Sequence, residues 1–288
     1  MPRSSDELVD LLDIEVIDEN LFRGRQPDTQ LQRVFGGQVA AQALIAGART
    51  LPEGLAVHSL HSYFLRPGDT AVPIVYDVES LRDGRSFSTR RVVARQHGRP
   101  IYLQSVSFQR PEEGFDHQDT MPEVPGPEGG IALSRLFEQR GGSSGAWERE
   151  WAAIDVRYLG NAAVGGVPED PDRPARAQLW SRISGRLSDN PLDHVAAFTY
   201  ASDMTLIGAA LVPHGKVVDS PGMQVASLDH TIWFHRPFRA DEWWLFDQHS
   251  PSASGGRGLS LASVFTQGGE LVATVAQEGL IRFHGEPD

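Results

Sequence analysis

Two stretches of the chain repeat one pattern and decide the fold: residues 58–68 read HSLHSYFLRPG, and residues 228–238 read LDHTIWFHRPF. In both stretches, a mixture of apolar and polar residues precedes an Arg-Pro pair. The two arginines, Arg66 and Arg236, lie 170 positions apart. Self-similarity at a fixed offset is typical of a chain built from repeated structural units. The sequence therefore predicts two copies of one unit.

Each copy has the pattern of one apolar helix followed by antiparallel strands, which predicts an α+β fold of two helix-plus-antiparallel-sheet modules. Residues 36–49 are rich in Ala and other small residues, which suits a helix packed closely against a sheet. In the second copy, Asn190 and Pro191 form a typical helix start, and the helix is predicted to continue to about residue 211. Alternation predicts strands at 57–66, 72–82, 86–97, 100–109, 224–235, 242–250, 257–267 and 271–283.

The segment between the copies has the composition of a linker. Residues 111–128 contain four prolines and six acidic residues and no Lys or Arg. A short helical pattern at 132–139 and a Gly/Ser cluster follow. We therefore predict a first module over residues 1–110, a linker with a short helix over 111–149, and a second module over 150–288.

Composition excludes several classes of function. The 288 residues carry a net charge of −12, which disfavours nucleic acid and anionic membrane surfaces as partners. There is no Cys, so thiolate nucleophiles, thiolate metal sites and disulfides are excluded. We see no secretory pattern in the acidic start and no apolar run near the roughly 20 residues that span a bilayer, so we expect a cytoplasmic protein without a membrane span.

Two motifs are weak on inspection. Residues 141–145 match G-x-S-x-G, but no strand is predicted before them as a nucleophile elbow requires, and we interpret them as a flexible loop. The histidine pairs His58 and His61, and His230 and His235, lack further ligands at metal-binding spacing, and hydrogen bonding is the commoner role for such pairs. No metal and no cofactor is predicted.

A third motif offers an alternative function. Residues 188–194, SDNPLDH, resemble the D-x-N-P-x-H signature of the (R)-specific enoyl-CoA hydratases. The register differs, because Asp189 directly precedes Asn190 and Asp193 is inserted before His194. One residue on a helix turns a side chain by about 100°, so the acid and the base would no longer face one site. A helix start capped by Asn190 explains the same residues.

The strongest candidate for catalysis is Asp203, a carboxylate in the apolar second helix. Two polar residues, Ser227 and Gln277, interrupt apolar strand patterns in the same module. Facing inward together, a carboxylate, a hydroxyl and an amide could hold one water. Each residue taken alone is also explained as a buried polar group with its hydrogen bonds satisfied.

Taken in order, the blocks RVFGGQVAAQAL, HSLHSYFLRPGD, YASD, HTIWFHRPF and VAQEGLIRF resemble the type II acyl-CoA thioesterases, which have a double hotdog fold. The resemblance covers essentially the whole chain. It implies hydrolysis of fatty acyl-CoA to free fatty acid and coenzyme A, with water activated by an Asp, a Thr or Ser, and a Gln. These roles fall on Asp203, Ser227 and Gln277, and Ser227 stands where the best-known members have Thr.

With the reaction assumed, further roles can be predicted. The amides of Gly36 and Gly37 at a helix N-terminus, or those of the corresponding turn of the second helix, are candidates for binding the oxyanion. Arg90 and Arg91, in an Arg-rich stretch, are candidates for the coenzyme A phosphates, although arginines along a strand are equally typical of a solvated sheet face. The resemblance also implies a homo-oligomer, a dimer or tetramer. The alternatives are the hydratase, through Asp189 and His194, and a non-catalytic acyl-CoA-binding protein.

Overall fold

The computed structural model describes residues 1–160 and 175–285. The first module contains helix α1 (Ser5–Leu12) and the long helix α2 (Gly36–Ala48). Its strands are β1 (Glu15–Asp18), β2 (Leu21–Gly24), β3 (Ala56–Phe64), β4 (Ile74–Asp83), β5 (Phe87–Gln96) and β6 (Arg99–Gln109).

The second module repeats this order with longer insertions. Its helices are α3 (Leu133–Gln139), α4 (Ser144–Trp151), the long helix α5 (Pro191–Ser202) and a 3-10 helix at Leu206–His214. Its strands are β7 (Ile131–Ala132), β8 (Ile154–Tyr158), β9 (Arg176–Ile183), β10 (Met223–Ser227), β11 (Asp229–Phe234), β12 (Trp244–Ser254), β13 (Arg257–Thr266) and β14 (Leu271–Phe283). A 3-10 turn, Pro127–Gly129, precedes β7.

One continuous antiparallel sheet joins the two modules. Its strand order is β1-β2-β4-β5-β6-β3-β11-β14-β13-β12-β9-β8-β7, and β10 also pairs with β14. At the centre, β3 pairs with β11, and His61 is the partner of Thr231. Read outward from this pair in either direction, the equivalent strands of the two modules follow in the same order. The two copies are therefore related by a pseudo-twofold axis at this central pair. A long helix packed against each half of the sheet makes this a double hotdog, as predicted.

The two long helices pack against each other in a core of small side chains. Along α2, residues 37 to 47 are buried, and most of them are Ala or Gly. A Cβ atom on Gly37 would overlap the backbone carbonyl of Tyr200 on α5, so only glycine permits this approach. The close contact brings the N-terminus of α2 to the C-terminus of α5.

The sequence expectations hold for the central elements and fail at the edges. All eight predicted strands are present within a few residues of their predicted ends, except that strand 224–235 is divided into β10 and β11 and 242–250 extends to Ser254. The short edge strands β1, β2, β7 and β8, as well as β9 and α1, were not predicted. Short strands carry too little alternation to be recognised.

Two further expectations are wrong. The second helix does not continue to residue 211: α5 ends at Ser202, a turn follows, and the chain resumes as a 3-10 helix. The Gly/Ser cluster is not only a loop, because the Ser143 side chain accepts a hydrogen bond from the Ala146 amide and caps α4.

One apolar run is longer than the sequence analysis predicted. It covers both α5 and the 3-10 helix that follows it. The 24 residues Pro191–His214 are long and apolar enough to cross a membrane by length and composition. However, 72% of the most apolar window is buried inside the protein. Such burial is expected of a core helix that is hydrophobic on all sides.

Candidate active site

Asp203 lies where the second long helix ends. It is the C-cap residue of α5, and the turn after it leads into the 3-10 helix. The side chain is only partly accessible to solvent. Asp203 is therefore at the end of the helix and not within it, a position from which its carboxylate reaches the inner face of the sheet and the first turn of α2.

Three donors hold the Asp203 carboxylate. The Ser227 hydroxyl, at the end of β10, donates to Oδ1 at 3.1 Å, and the Gln277 amide, on β14, donates to the same oxygen. The backbone N–H of Gly37 also donates to the carboxylate. The structure thus brings together the three residues that sequence reasoning proposed to hold one water.

Burial controls the protonation of this carboxylate. Desolvation raises the pKa of Asp203 from 3.8 to about 6, although its bonds to Gln277, Ser227 and Gly37 favour the charged form. A carboxylate with a pKa near 6 is charged at neutral pH and is a stronger base than an exposed aspartate. Asp203 therefore has the protonation behaviour of a general base.

The Gln277 side chain has hydrogen-bonding capacity left over. It is fully buried, and its Oε1 atom has no hydrogen-bond partner among the described residues. A buried carbonyl oxygen without a partner is rare in proteins and commonly marks a site for water or ligand. Since the Nε2 atom of the same amide is bonded to Asp203, the free oxygen lies at the edge of the carboxylate site.

The first module forms the opposite wall of the site. A Cβ atom on Gly36 would overlap Oδ2 of Asp203 and would lie 2.8 Å from the Phe64 ring, so the chain needs glycine at this point. Sequence reasoning missed Phe64 as part of the site. Its place at the end of β3, beside the central strand pair, is visible only in the tertiary structure. The site is therefore built between the two modules.

A buried histidine supports the end of α5. The Ser202 hydroxyl lies 2.9 Å from Nε2 of His230, and the Ser62 hydroxyl donates to the His230 carbonyl oxygen at 2.6 Å. Burial lowers the pKa of His230 to about 3, so the ring is neutral at physiological pH. His230 acts as a structural residue that connects α5 with β11 and β3.

The other histidines singled out in the sequence are also structural. His58 bonds Ser107 at 2.9 Å and His235 bonds Thr274 at 2.8 Å, while His61 packs edge-on against Trp233. Within residues 1–160 and 175–285, there is no cluster of three His, Cys, Asp or Glu side chains that could hold a metal ion.

The two predicted phosphate-binding arginines have different environments. Arg90 is 3% exposed and donates to Thr50 and to Asp83, both at 2.7 Å, so the prediction is corrected for this residue. Its side chain points into the core because Arg90 and Arg91 alternate across the strand. Arg91 is on the exposed face, 3.6 Å from Glu79, and remains a prediction.

The hydratase pair does not form one site. His194 is buried, accepts from the Ala240 amide at 3.1 Å and bonds the Ser188 carbonyl at 2.9 Å. Asp189 is exposed and pairs with Arg239 at 2.7 Å. Asn190 accepts from the Leu192 amide and caps α5, as expected from the sequence.

A double hotdog in which a hydroxyl and an amide converge on a carboxylate, as they do at Asp203, has the arrangement expected of a hydrolase of the hotdog class. Models of two families match the chain: an acyl-CoA thioesterase N-terminal domain over residues 25–109 and an acyl-CoA thioesterase over residues 170–280. The chain belongs to the acyl-CoA thioesterase family.

Individual relatives agree with this assignment over nearly the whole chain. The chain is 43% identical to acyl-CoA thioesterase 2 of Haemophilus influenzae, covering 96% of this chain and 97% of the relative. It is 39% identical to acyl-coenzyme A thioesterase 8 of Homo sapiens, with 94% and 88% covered. Among solved structures, acyl-CoA thioesterase II TesB2 from Mycobacterium marinum is similar, with a TM-score of 0.79, 45% identity, and 95% and 97% covered.

Proposed function

We propose that this thioesterase hydrolyses fatty acyl-CoA with a water molecule held by Asp203, Ser227 and Gln277. The observation that carries the proposal is the convergence of the hydroxyl and the amide on one carboxylate oxygen of a buried aspartate. With no Cys in the chain, water is the simplest nucleophile. The unpaired Gln277 oxygen provides an acceptor for one of its protons.

In the proposed reaction, the Asp203 carboxylate removes a proton from the water while the water oxygen attacks the thioester carbonyl carbon. The carbonyl π electrons move to oxygen and give a tetrahedral oxyanion. When the carbonyl re-forms, the carbon–sulfur bond breaks and its electron pair leaves on sulfur. The proton held by Asp203 returns to this thiolate, which yields free acid and the coenzyme A thiol.

For the oxyanion, the first turn of α2 remains our proposal. The first amides of a helix have no partner within the helix, and the helix dipole favours negative charge there. Because the Gly37 amide already donates to Asp203, Gly36 is the better placed of the two predicted donors. Glycine at this position also lets the Asp203 carboxylate lie directly against the start of α2.

The decisive experiment follows thiol release from acyl-CoA by wild type and Asp203→Asn. We expect the variant to fold and to lose activity by about a thousandfold, within the range seen for removal of a general base. Thiol release at the wild-type rate would refute the role of Asp203. Loss of enoyl absorbance without thiol release would favour the hydratase, and saturable binding without turnover would favour an acyl-CoA-binding protein.

The surface and the net charge of the protein bear on its assembly and partners. Exposed apolar side chains, Tyr63, Leu65 and Trp233, lie on or just after the central strands β3 and β11 and favour a homo-oligomer, a dimer or tetramer. The net charge of −12 disfavours nucleic acid and anionic membrane surfaces as partners, and the cytoplasm is the proposed location. Light scattering of the purified chain tests the assembly, and a monomer would contradict it.

A further inference from the structure

Beside the active site lies a cavity of about 450 Å³, lined mostly by the second module, with Gln30 and Leu31 of the first module and a few charged side chains also in its wall. Met204 and Thr205, the two residues after Asp203, form part of its wall. The rest is lined mainly by apolar side chains of α3, α4 and the sheet, among them Leu136, Trp151 and Leu179. A cavity of this size and character is typical of a site for a small apolar ligand.

A row of unpaired polar atoms crosses the sheet toward this cavity. Gln277 on β14, Ser260 on β13 and Gln248 on β12 are all fully buried, and each has a side-chain oxygen without a partner among the described residues. Ser260 is the direct cross-strand partner of Gln277. Gln248 lines the cavity, and its Nε2 atom donates to Thr205 at 2.7 Å, so its Oε1 atom is the free one.

The corresponding positions of the first module carry no such row. Strand pairing matches Arg90 and Val106 in the first module to Ser260 and Gln277 in the second. The same alignment matches Val78 to Gln248. The two valines are apolar, and Arg90 uses its polar atoms within its own module. The unpaired oxygens are therefore specific to the module that carries the catalytic site.

A buried oxygen without a hydrogen-bond partner is destabilising, and a ligand with a hydrogen-bond donor would remove that cost. β14 and β12 are two strand spacings apart, and Gln248 is opposite Ala262, two residues along β13 from Ser260. Gln248 therefore lies about 12 Å from Gln277. A hydrogen-bond donor that reaches Gln248 would therefore be attached part-way along the acyl chain and not next to the thioester.

We propose that this cavity is the acyl-chain site of the thioesterase and that Gln248 selects chains with a hydroxyl group part-way along their length. The proposal rests on the proposed function. The acyl chain passes Met204 and Thr205 and enters the cavity, where its hydroxyl donates to the Gln248 oxygen. No residue of this site belongs to the water-activating group.

The first experiment reduces the volume of the cavity with a larger side chain. Gly208 lines it, and a Cβ atom there would meet no atom within 4 Å, so Gly208→Leu extends into open space. We expect the ratio of kcat/KM for decanoyl-CoA to that for butanoyl-CoA to fall at least about tenfold. Gly114→Leu adds the same side chain at an open position outside the cavity and should leave the ratio unchanged.

The second experiment tests recognition. Wild type and Gln248→Met are compared on decanoyl-CoA, 3-hydroxydecanoyl-CoA and 7-hydroxydecanoyl-CoA, with thermal unfolding as a check on folding. We expect wild type to favour the 7-hydroxy chain, and Gln248→Met to reduce that preference about tenfold, the value of one good hydrogen bond.

The outcomes separate the two proposals. Absence of thiol release from every acyl-CoA would overturn the proposed function itself. Thiol release with a chain-length ratio that Gly208→Leu leaves unchanged would overturn the acyl site alone. Equal rates on plain and 7-hydroxy chains, or a preference that survives Gln248→Met, would overturn selection by Gln248. If Gln248→Met fails to fold, Gln248→Leu provides the same comparison.

Discussion

The two modules share one strand order but differ at the position where Asp203, Ser227 and Gln277 meet. Pairing of β3 with β6 matches Val57 to Ser227, because Val57 pairs with Phe108 as Ser227 pairs with Gly279. Pairing of β5 with β6 matches Val106 to Gln277. The residue of α2 that contacts Val106 is Gly47, whose Cβ would lie 2.9 Å from it.

The first module therefore has two valines where the second has Ser227 and Gln277. A carboxylate, a hydroxyl and an amide are costly to bury, and one copy of the unit carries all of that cost. The other copy supplies an apolar core and the glycine-rich start of α2, against which Asp203 rests. Within the described residues, the proposed catalytic site therefore lies in the second module, and both modules are needed to build it.

The largest effect expected is on stability, from desolvation of the Asp203 carboxylate in the second module. Since the pKa of Asp203 is about 6 when folded and 3.8 ordinarily, the charged form destabilises the fold by up to about 3 kcal/mol at pH 8. The folded protein holds the proton more tightly, so this contribution is favourable below pH 4 and is lost as the pH rises through 6. We expect Asp203→Asn to raise Tm at pH 8 and to lose that advantage near pH 4. If the Tm difference between Asp203→Asn and wild type were the same at both pH values, the Asp203 charge would not be the cause of the destabilisation.

The next largest effect is expected on catalysis, from a substitution that makes the second module resemble the first. Gln277→Val introduces the residue found at Val106 and removes one donor to Asp203 as well as the free acceptor. We expect kcat to fall about a hundredfold because the water is no longer oriented. Steady-state thiol release measures the change. Ala276→Val, on the other face of the same strand, is the control, and a loss of equal size there would show that the effect is one of packing.

A smaller effect is expected in the first module. Gly47→Ala would bring a Cβ atom within 2.9 Å of Val106, and overpacking of this kind costs about 1–3 kcal/mol. Urea unfolding should show the loss. Gly208→Ala, also in a helix but with open space around its Cβ, is the matched control and should unfold at nearly the wild-type urea concentration. If both variants were equally stable, close packing at Gly47 would not be the reason for glycine.

The smallest effect is expected at Ser227. Ser227→Ala removes one hydrogen bond to Asp203 and should lower kcat about tenfold. Ser227→Thr keeps the hydroxyl and adds a methyl group that restricts its rotamer, so kcat should stay within about threefold of wild type. Both are measured by thiol release. A loss in the Thr variant as large as that in the Ala variant would mean that space, and not the hydroxyl, matters at this position.

Much of the site could be found from sequence because its polar residues interrupt apolar patterns. Asp203 follows an apolar helical stretch, and Gln277 stands at an inward position of an alternating strand. Arg90 was misjudged by the same logic, since alternation gives the two faces of a strand but not which face is buried. The end of α5 at Ser202 was also missed, because the apolar pattern continues into the 3-10 helix without a break.

The sequence by itself determined the repeat, the order of helix and strands in each copy, and the three polar residues that meet at the site, because these follow from periodicity and from polar residues in apolar surroundings. Only the tertiary structure decided which strands join at the centre and that Gly36 and Phe64 complete the site. It also decided that an apolar cavity with a row of unpaired oxygens lies beside it. These features depend on contacts between residues far apart in the chain, and local patterns do not encode which distant surfaces meet.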